Sequence, residues 1–595
     1  MAEKRPERER LNRLRQLMKE KGINTYVITK SDPHQSEYSP AHWNGVYFIS
    51  GFSGSAAVAA VTMDKAMLWT DGRYELQAEK ELAGTGFAFI STADPAAKQL
   101  MDWLRDETPA GGAIGFNGLT LNACDVRLLE KATEVKNIKL KGTLELLENI
   151  WPNRPSLERF PVYPHDIKFC GEARGEKLRR LRDSMKEIGA EAYALSSLDD
   201  IAWLMNLRGQ DFDTAPLFNA YAAVTMEKAA LYADQSQVKS LAPALEQDGV
   251  EIRPYEDIFK LGGELGQDKS VMLSPKKTSG YLYQSLKCCR VIELEEDNTS
   301  ICKSIKNKTE LDNWEQAQIR DGAAMVRFIK WMKETGCRVG LREHQVGERL
   351  IGFRREGDNY LMPSFETIAG YNENGAVIHY HAEAETSLVI KPEGMLLVDS
   401  GAHYLDGTTD ITRTIILGEI TDEMRRDFTL VLKAHIRLAQ AVFSYGTCGT
   451  GLDSLARQPL WEKGMDYKHG TGHGVGYCLN VHEGPQTISS LANPWKLEPG
   501  MVMSNEPGLY RKGKYGVRTE NLIQVIPYEE TEYGTFLRFK TFTYCPVDLE
   551  GIDCALLSPE EKAWINEYHQ LVYEKLEPML DKENQQWLRE QTRQL

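Results

Sequence analysis

The chain has 595 residues, more than one hydrophobic core usually organises, so two to four domains are expected. Hydrophobic residues make up 42% and charged residues 26%, as in globular proteins, and no apolar run is long enough to cross a bilayer, so no membrane-spanning helix is expected. A formal net charge of −15 argues against nucleic acid as a partner and suits a protein that holds cations.

The first residues, MAEKRPERERLNRLRQL, are charged throughout and read as a solvated lead-in to a helix rather than a secretory signal. Ten cysteines show no CxxC pairing and no regular framework, so free thiols in a reducing, cytoplasmic setting are expected. Leu11, Leu14 and Met18 share one helical face, and Gly22 stands where a helix would stop. The strand TYVIT follows. The segment FISGFSGS (48–55) has glycines but no phosphate-binding pattern, and it reads as a strand and a tight turn.

This arrangement recurs. RLRQLMKEKGINTY (13–26) matches RLRDSMKEIGAEAY (180–193) at 8 of 14 positions, and AAVTMDKAMLWTD (59–71) matches AAVTMEKAALYAD (222–234) at 9 of 13. The offsets, 167 and 163 residues, are nearly in register, which chance would not arrange, so the unit is duplicated. The second copy repeats the helical face, with Leu178, Leu181, Met185 and Ile188, then Gly189 and the strand AYALS. WPNRPS (151–156) and KNKTELDN (306–313) mark the boundaries of two α/β domains, 1–150 and 151–306, followed by a third, 307–595. The duplicated half is expected to be a scaffold that walls a site or forms a dimer interface.

The chemistry gathers in the last third. VDSGAHYLDGTTDITRT (398–414) carries Asp399 and Asp410 on strand-like flanks around the turn dipeptide Asp406–Gly407, a hairpin able to bring both aspartates to one end of a sheet. HGTGHGVG (469–476) holds His469 and His473 among four glycines; that density forbids the helix an HExxH zinc site needs, so an irregular loop is expected. VHEGP supplies His482. MVMSNEPG and VRTENLIQV present Glu506 and Glu520 in runs that read as buried strands around the turn KGK (512–514), where a carboxylate is costly unless paired or bound to metal. Any one of these residues has an ordinary structural explanation. Four carboxylates and one histidine together carry four negative charges, which two divalent ions would neutralise, as in two-metal hydrolases. Oxygen-rich ligation favours a hard ion, manganese or cobalt, over thiolate-preferring zinc.

These strings resemble the Xaa-Pro aminopeptidases of the long, three-domain type, in the creatinase, prolidase and methionine aminopeptidase group with its pita-bread catalytic fold. DSGAHYLDGTTDITRT, HGTGHGVG, LNVHEGP, NEPG and RTEN are its most specific strings, and the resemblance spans nearly the whole chain. It implies five metal ligands, Asp399, Asp410, His473, Glu506 and Glu520, with Asp410 and Glu520 bridging two ions. Asp399 would complete one ion, and His473 with Glu506 the other. It also implies that His379, His469 and His482 contact the substrate and the transition state, and that Arg518 of RTEN supports the site. A homodimer follows from the same resemblance.

The implied reaction is removal of an N-terminal residue that precedes proline, by a hydroxide held between two metals, from peptides with proline second. Glu506 would accept the water's proton, His482 would help polarise the carbonyl, and His379 would manage the proton that reaches the leaving nitrogen. The Xaa-Pro amide has no N–H, so selectivity must come from the shape of a pocket for the ring, to which His469 would contribute. A prolidase-type dipeptidase shares the five ligands but is at odds with the long N-terminal half. A non-catalytic binding protein of the same fold is at odds with the retention of all five.

Overall fold

The computed structural model describes residues 5–91 and 98–595, so the first four residues of the charged lead-in lie outside it. Two compact units are present. One comprises the chain up to Pro164 with Glu172–Phe212 and Leu217–Thr299; the other comprises His165–Gly171, Asp213–Pro216 and Ser300–Leu595.

The first unit contains the two copies of the repeat. Helix Pro6–Glu20 has proline in its first turn, buries Leu11, Leu14 and Met18, and ends before Gly22 at φ 61°. Strand Thr25–Thr29 follows, and pairs antiparallel with Ala57–Thr62 and parallel with Ala113–Phe116. Ala66–Thr70, Ala88–Ser91 and Lys139–Lys141 complete a mixed six-stranded sheet. In the second copy, Ala192–Leu195 takes the place of Thr25–Thr29 between Ala220–Thr225 and Ser270–Leu273, in a sheet of the same order and strand directions. The hairpin registers coincide: Ala59 faces Leu68, and Ala222 faces Leu231. Identical residues recur because each copy needs the same small side chains on the same faces of a sheet.

One element differs from the sequence reading. Gly45–Ser50 is a short helix, not a strand, with the Asn44 side chain capping its start and Gly51 at φ 80° ending it. A four-residue apolar run is ambiguous by periodicity, and the flanking Asn and Gly decide it. Helix Leu198–Met205 occupies the same place in the second copy.

The second unit is built on helix Lys308–Glu334, opened by a capping box between Asn307 and Glu310. Its apolar face shares one core with Ile411, Ile415 and Val398 of a three-stranded antiparallel sheet, made of Ile368–Tyr371, Met395–Ser400 and Ile411–Ile416, and with Val431 and Ile436 of helix Asp422–Ala439. A six-stranded antiparallel sheet runs in the order Val442–Ser444, Gly534–Thr541, Asn521–Thr531, Val502–Asn505, Gly472–Gly474, Glu483–Ile488. Helix Pro559–Leu576 starts on Ser558, whose hydroxyl accepts from Glu561 N, and it buries Ile565, Val572 and Leu576 in the same core. It packs on its own unit, as its amphipathic pattern and cap predict. None of the ten cysteines is in a disulfide, and among the described residues no helix is long and apolar enough to cross a membrane.

Candidate metal centre

Sheet register brings the acidic residues together. Met395–Ser400 pairs with Ile411–Ile416 so that Ser400 faces Ile411 and Asp399 faces Thr412; Asp399 is therefore inside the hairpin and Asp410 one residue beyond its end. In the larger sheet the last pair of Val502–Asn505 and Asn521–Thr531 is Asn505 with Asn521. Glu506 and Glu520 flank that pair, just outside the strands rather than within them as the sequence suggested. Between them Gly508–Arg511 and Tyr515–Arg518 form a hairpin whose tip is 512–514. Glu520 N donates to Thr412 O (3.2 Å), which joins the two carboxylate-bearing sheets at the site.

The glycine-rich run is an irregular loop only in part. Gly472–Gly474 is a strand, fifth of the six in the larger sheet, between Val502–Asn505 and Glu483–Ile488. A Cβ at Gly472 would stand 2.0 Å from Ser504 O and one at Gly474 2.3 Å from Glu483 O, so the glycines permit close backbone approach on both sides of His473. His473 Nδ1 lies 2.9 Å from Gly474 O, which turns Nε2 toward Asp410 Oδ2 at 3.4 Å and Glu506 Oε1 at 3.6 Å. A ring nitrogen tied to a carbonyl, with the other aimed at acids, is how a histidine ligand is oriented.

One ligand atom each of Asp410, His473 and Glu520 lie within 4.8 Å of one another, the only such grouping among the described residues. Asp410 and Glu520 are buried, while the side chains of His473 and Glu506 keep 18% and 19% exposure, enough for a molecule to reach them. Asp399 accepts from Arg518 Nη2 at 2.5 Å, yet its buried Oδ1 has no hydrogen-bond partner. Glu520 has Thr412 Oγ1 at 2.7 Å. Ser504 Oγ donates to Glu506 Oε1 (3.3 Å) and accepts from His473 N (2.9 Å).

The electrostatics are those of crowded acids. Burial, followed by the charges of Asp410, Asp399 and Glu506, raises the Glu520 pKa well above the carboxylate range. Burial also raises Asp399, with Arg518 opposing and Asp410 adding. Glu506 is pushed up to about 7, mainly by burial, against the pull of His473 and Arg518. Burial disfavours the His473 imidazolium, but the Asp410 hydrogen bond and the Glu506 charge outweigh it, and its pKa rises to about 9. In the absence of a cation, the protein must hold protons here to relieve like-charge repulsion. The orphaned Asp399 oxygen and the oxygen-rich donor set therefore fit divalent cations.

The accessory histidines divide. The ring of His482 is perpendicular to that of His473, with centroids 4.3 Å apart. His469 Nε2 lies 2.9 Å from Tyr510 Oη, which accepts from Arg518 Nη1 at 2.7 Å. His469 is thus connected to Asp399 through Tyr510 and Arg518. His379 stands half-buried in the irregular stretch after Asn372–Ala376, outside the Asp410–His473–Glu520 grouping, and the neighbouring His381 faces Glu366 (Nδ1–Oε2 3.1 Å). Tyr510 was not singled out from the sequence. Its signal was its place in a hairpin with Arg518, where Gly508 pairs with Arg518 and Tyr510 with Gly516.

Fold and site together define a metal-dependent hydrolase, with a buried carboxylate and imidazole cluster open on one side. Residues 312–527 match the model of metallopeptidase family M24 and 535–595 that of the C-terminal region of this peptidase family. Residues 10–150 and 153–310 each match the creatinase/prolidase N-terminal domain. A probable Xaa-Pro aminopeptidase P of Laccaria bicolor is 40% identical over 98% of this chain and 92% of its own. The structure of an X-prolyl aminopeptidase from Caenorhabditis elegans, described as a cytosolic enzyme with a di-nuclear active site, superposes with a TM-score of 0.92 at 32% identity over 99% of both chains. An Xaa-Pro dipeptidase from Bacillus anthracis aligns over 99% of itself but only 63% of this chain, with a TM-score of 0.51 at 26% identity. The chain belongs to metallopeptidase family M24 and, within it, to the long Xaa-Pro aminopeptidase P group.

Proposed function

We propose that this protein releases the N-terminal residue of peptides whose second residue is proline, using two divalent metal ions, of which manganese suits the donors best. The observation that carries this reading is a set of four crowded carboxylates faced, among the described residues, only by Arg518 and the His473 ring, with a buried Asp399 oxygen that has no hydrogen-bond partner. The proline preference is supported by full-length similarity to Xaa-Pro aminopeptidases. A dipeptidase reading leaves more than a third of this chain without a counterpart in the bacterial dipeptidase.

Asp399, Asp410, His473, Glu506 and Glu520 would hold the ions. Bound there, divalent ions acidify water and polarise a peptide carbonyl. The chain's own groups do the rest. Glu506 Oε1, beside His473 and partly open, takes up the proton released by the attacking water. His482, packed against the His473 ring, donates to the substrate carbonyl as charge develops there. His469 is set by Tyr510 and Arg518 to line the site. His379 delivers a proton to the departing proline nitrogen. The free α-amine pairs with the carboxylates of the centre, which restricts cleavage to the first bond. A cytoplasmic homodimer completes the reading; the C. elegans structure is described as cytosolic, and light scattering tests the dimer.

The test is cleavage of Arg-Pro-Pro, Arg-Ala-Ala and Arg-Pro by protein stripped of metal and reloaded with manganese. Manganese-dependent release of arginine from Arg-Pro-Pro alone is expected. Cleavage confined to Arg-Pro would make the protein a dipeptidase.

A further inference from the structure

Three charged side chains unused by this mechanism are buried in the second unit. Lys303, Lys306 and Glu483 each have 4% relative exposure. Lys306 Nζ donates to Glu483 Oε1 at 2.5 Å, to Val475 O at 2.7 Å and to Ser304 O at 3.2 Å, and Lys303 Nζ lies 3.9 Å from Glu483 Oε2. Burying such charges is costly, and replacing them by apolar residues is often neutral or stabilising, so stability alone is a weak reason for them.

Their attachment points suggest another reason. Val475 lies two residues beyond His473, and Glu483 follows His482 directly. One ammonium therefore ties both ends of the segment 475–483, one through a carbonyl and the other through a carboxylate. Inside that span Gly476 N donates to Asn480 O (3.0 Å) and Cys478 N to Thr408 Oγ1 (3.0 Å), so the loop is held at four points. A Cβ at Gly476 would stand 3.1 Å from Glu483 Oε2, which shows how closely the carboxylate lies against the loop. The sheet register breaks at the same place. His473 pairs with Thr487, and the next residue, Gly474, pairs with Glu483, an irregularity of the kind that re-aims side chains beside active sites. The His482 ring, 4.3 Å from that of His473, is carried on backbone whose position Lys306 and Glu483 define.

We propose that Lys306 and Glu483 form a positioning clamp that holds His482 against the His473 ring, so that the pair governs turnover rather than substrate affinity. The inference rests on the role given above to His482. Neither residue touches the reacting atoms; both act through the backbone of residues 475–483.

The experiment compares His482→Ala, Lys306→Met, the paired variant Lys306→Met/Glu483→Leu, and His482→Ala combined with Lys306→Met, each loaded with manganese. Steady-state constants on Arg-Pro-Pro, bound metal and thermal midpoint are measured for each. Lys306→Met leaves Glu483 facing Lys303 (Nζ–Oε2 3.9 Å), whereas the paired variant removes Glu483 as well, so the two load the fold differently and the clamp is read in whichever of them folds. The clamp predicts a kcat at least tenfold lower in Lys306→Met or in the paired variant, with KM within about threefold and metal content unchanged. It also predicts that Lys306→Met costs less than about threefold once His482 is alanine, because residues acting as one unit are not additive. Full additivity, unchanged kcat in the folded paired variant, or loss of metal would overturn the clamp. If His482→Ala itself leaves kcat unchanged, the role of His482 falls, and the clamp with it. Full additivity with a low kcat in His482→Ala overturns the clamp but leaves the role of His482 standing, so the two results are distinguishable.

Discussion

Two buried carboxylates, one in each unit, show how a scaffold differs from a site. Asp211 of the first unit accepts four hydrogen bonds, from Phe160 N and Gln237 Nε2 on one oxygen and from Asn219 N and Nδ2 on the other, all between 2.9 and 3.1 Å. Its charge is compensated by neutral donors, so it serves the architecture. Glu520 of the second unit is more deeply buried, at 1% exposure, and the groups that perturb it most after burial are Asp410, Asp399 and Glu506. Folding places like charges together there. A buried acid surrounded by donors is satisfied, whereas one surrounded by acids requires a cation from outside the chain.

The comparison is broken most severely by removing one of the crowded acids. Asp410→Asn is expected to lower turnover by at least about 10³-fold, since metal-activated water is lost with the ions. The metal-free variant should nevertheless melt no lower than metal-free wild type, because repulsion is relieved. Calorimetry of both proteins after chelation checks this, and a variant that melts well below wild type would place Asp410 with Asp211 among the structural acids. Glu506→Gln keeps the shape of the side chain but cannot accept a proton; kcat should fall by about 10²–10⁴-fold, and full activity with full metal would remove Glu506 from the role of base.

Acidity sharpens the contrast. In the metal-free protein Glu506 is raised to about 7 and His473 to about 9, and Asp399 and Glu520 are raised as well. A raised folded-state pKa means that the native state binds more protons, so this stabilisation is present at low pH and is lost as pH climbs. For Glu506 the loss runs from the unfolded value near 4.5 to about 7, and for His473 from about 6.5 to about 9. Metal binding has the opposite dependence, because ligands must lose protons to coordinate. The gap in melting temperature between manganese-loaded and stripped protein should therefore widen from pH 5 to pH 8. A constant gap would mean that the ions bind elsewhere. On the other side of the comparison, Asp211→Ala strands four donors and should cost about 2–3 kcal/mol of stability, read by denaturant unfolding, whether or not metal is present.

Much of this was legible in the sequence because each signal was local. The duplicated hairpin appeared as near-identical strings, since sheet faces repeat every second residue. The turn at 512–514 was likewise visible. The short helix Gly45–Ser50 was not, because four apolar residues carry no period. The strand Gly472–Gly474 was hidden because glycine is poor in strands unless backbones must approach closely, a property of the neighbours Ser504 and Glu483. Glu506 and Glu520 were recognisable as misplaced acids, but their meeting across the Asn505–Asn521 pair is a matter of register. Tyr510 was marked only by its place in the hairpin with Arg518, and the Lys306–Glu483 pair depends on contact between distant stretches, for which the strings themselves hold no mark.

The central claim is that the crowded acids of the second unit are completed by cations and that completion switches on peptide cleavage. Chelated protein titrated with manganese, with ions bound per chain and Arg-Pro-Pro cleavage read on the same samples, tests it most directly. The account predicts no cleavage at zero ions, with activity rising as binding approaches two per chain. Binding below one ion per chain, or cleavage that persists after chelation, would contradict it.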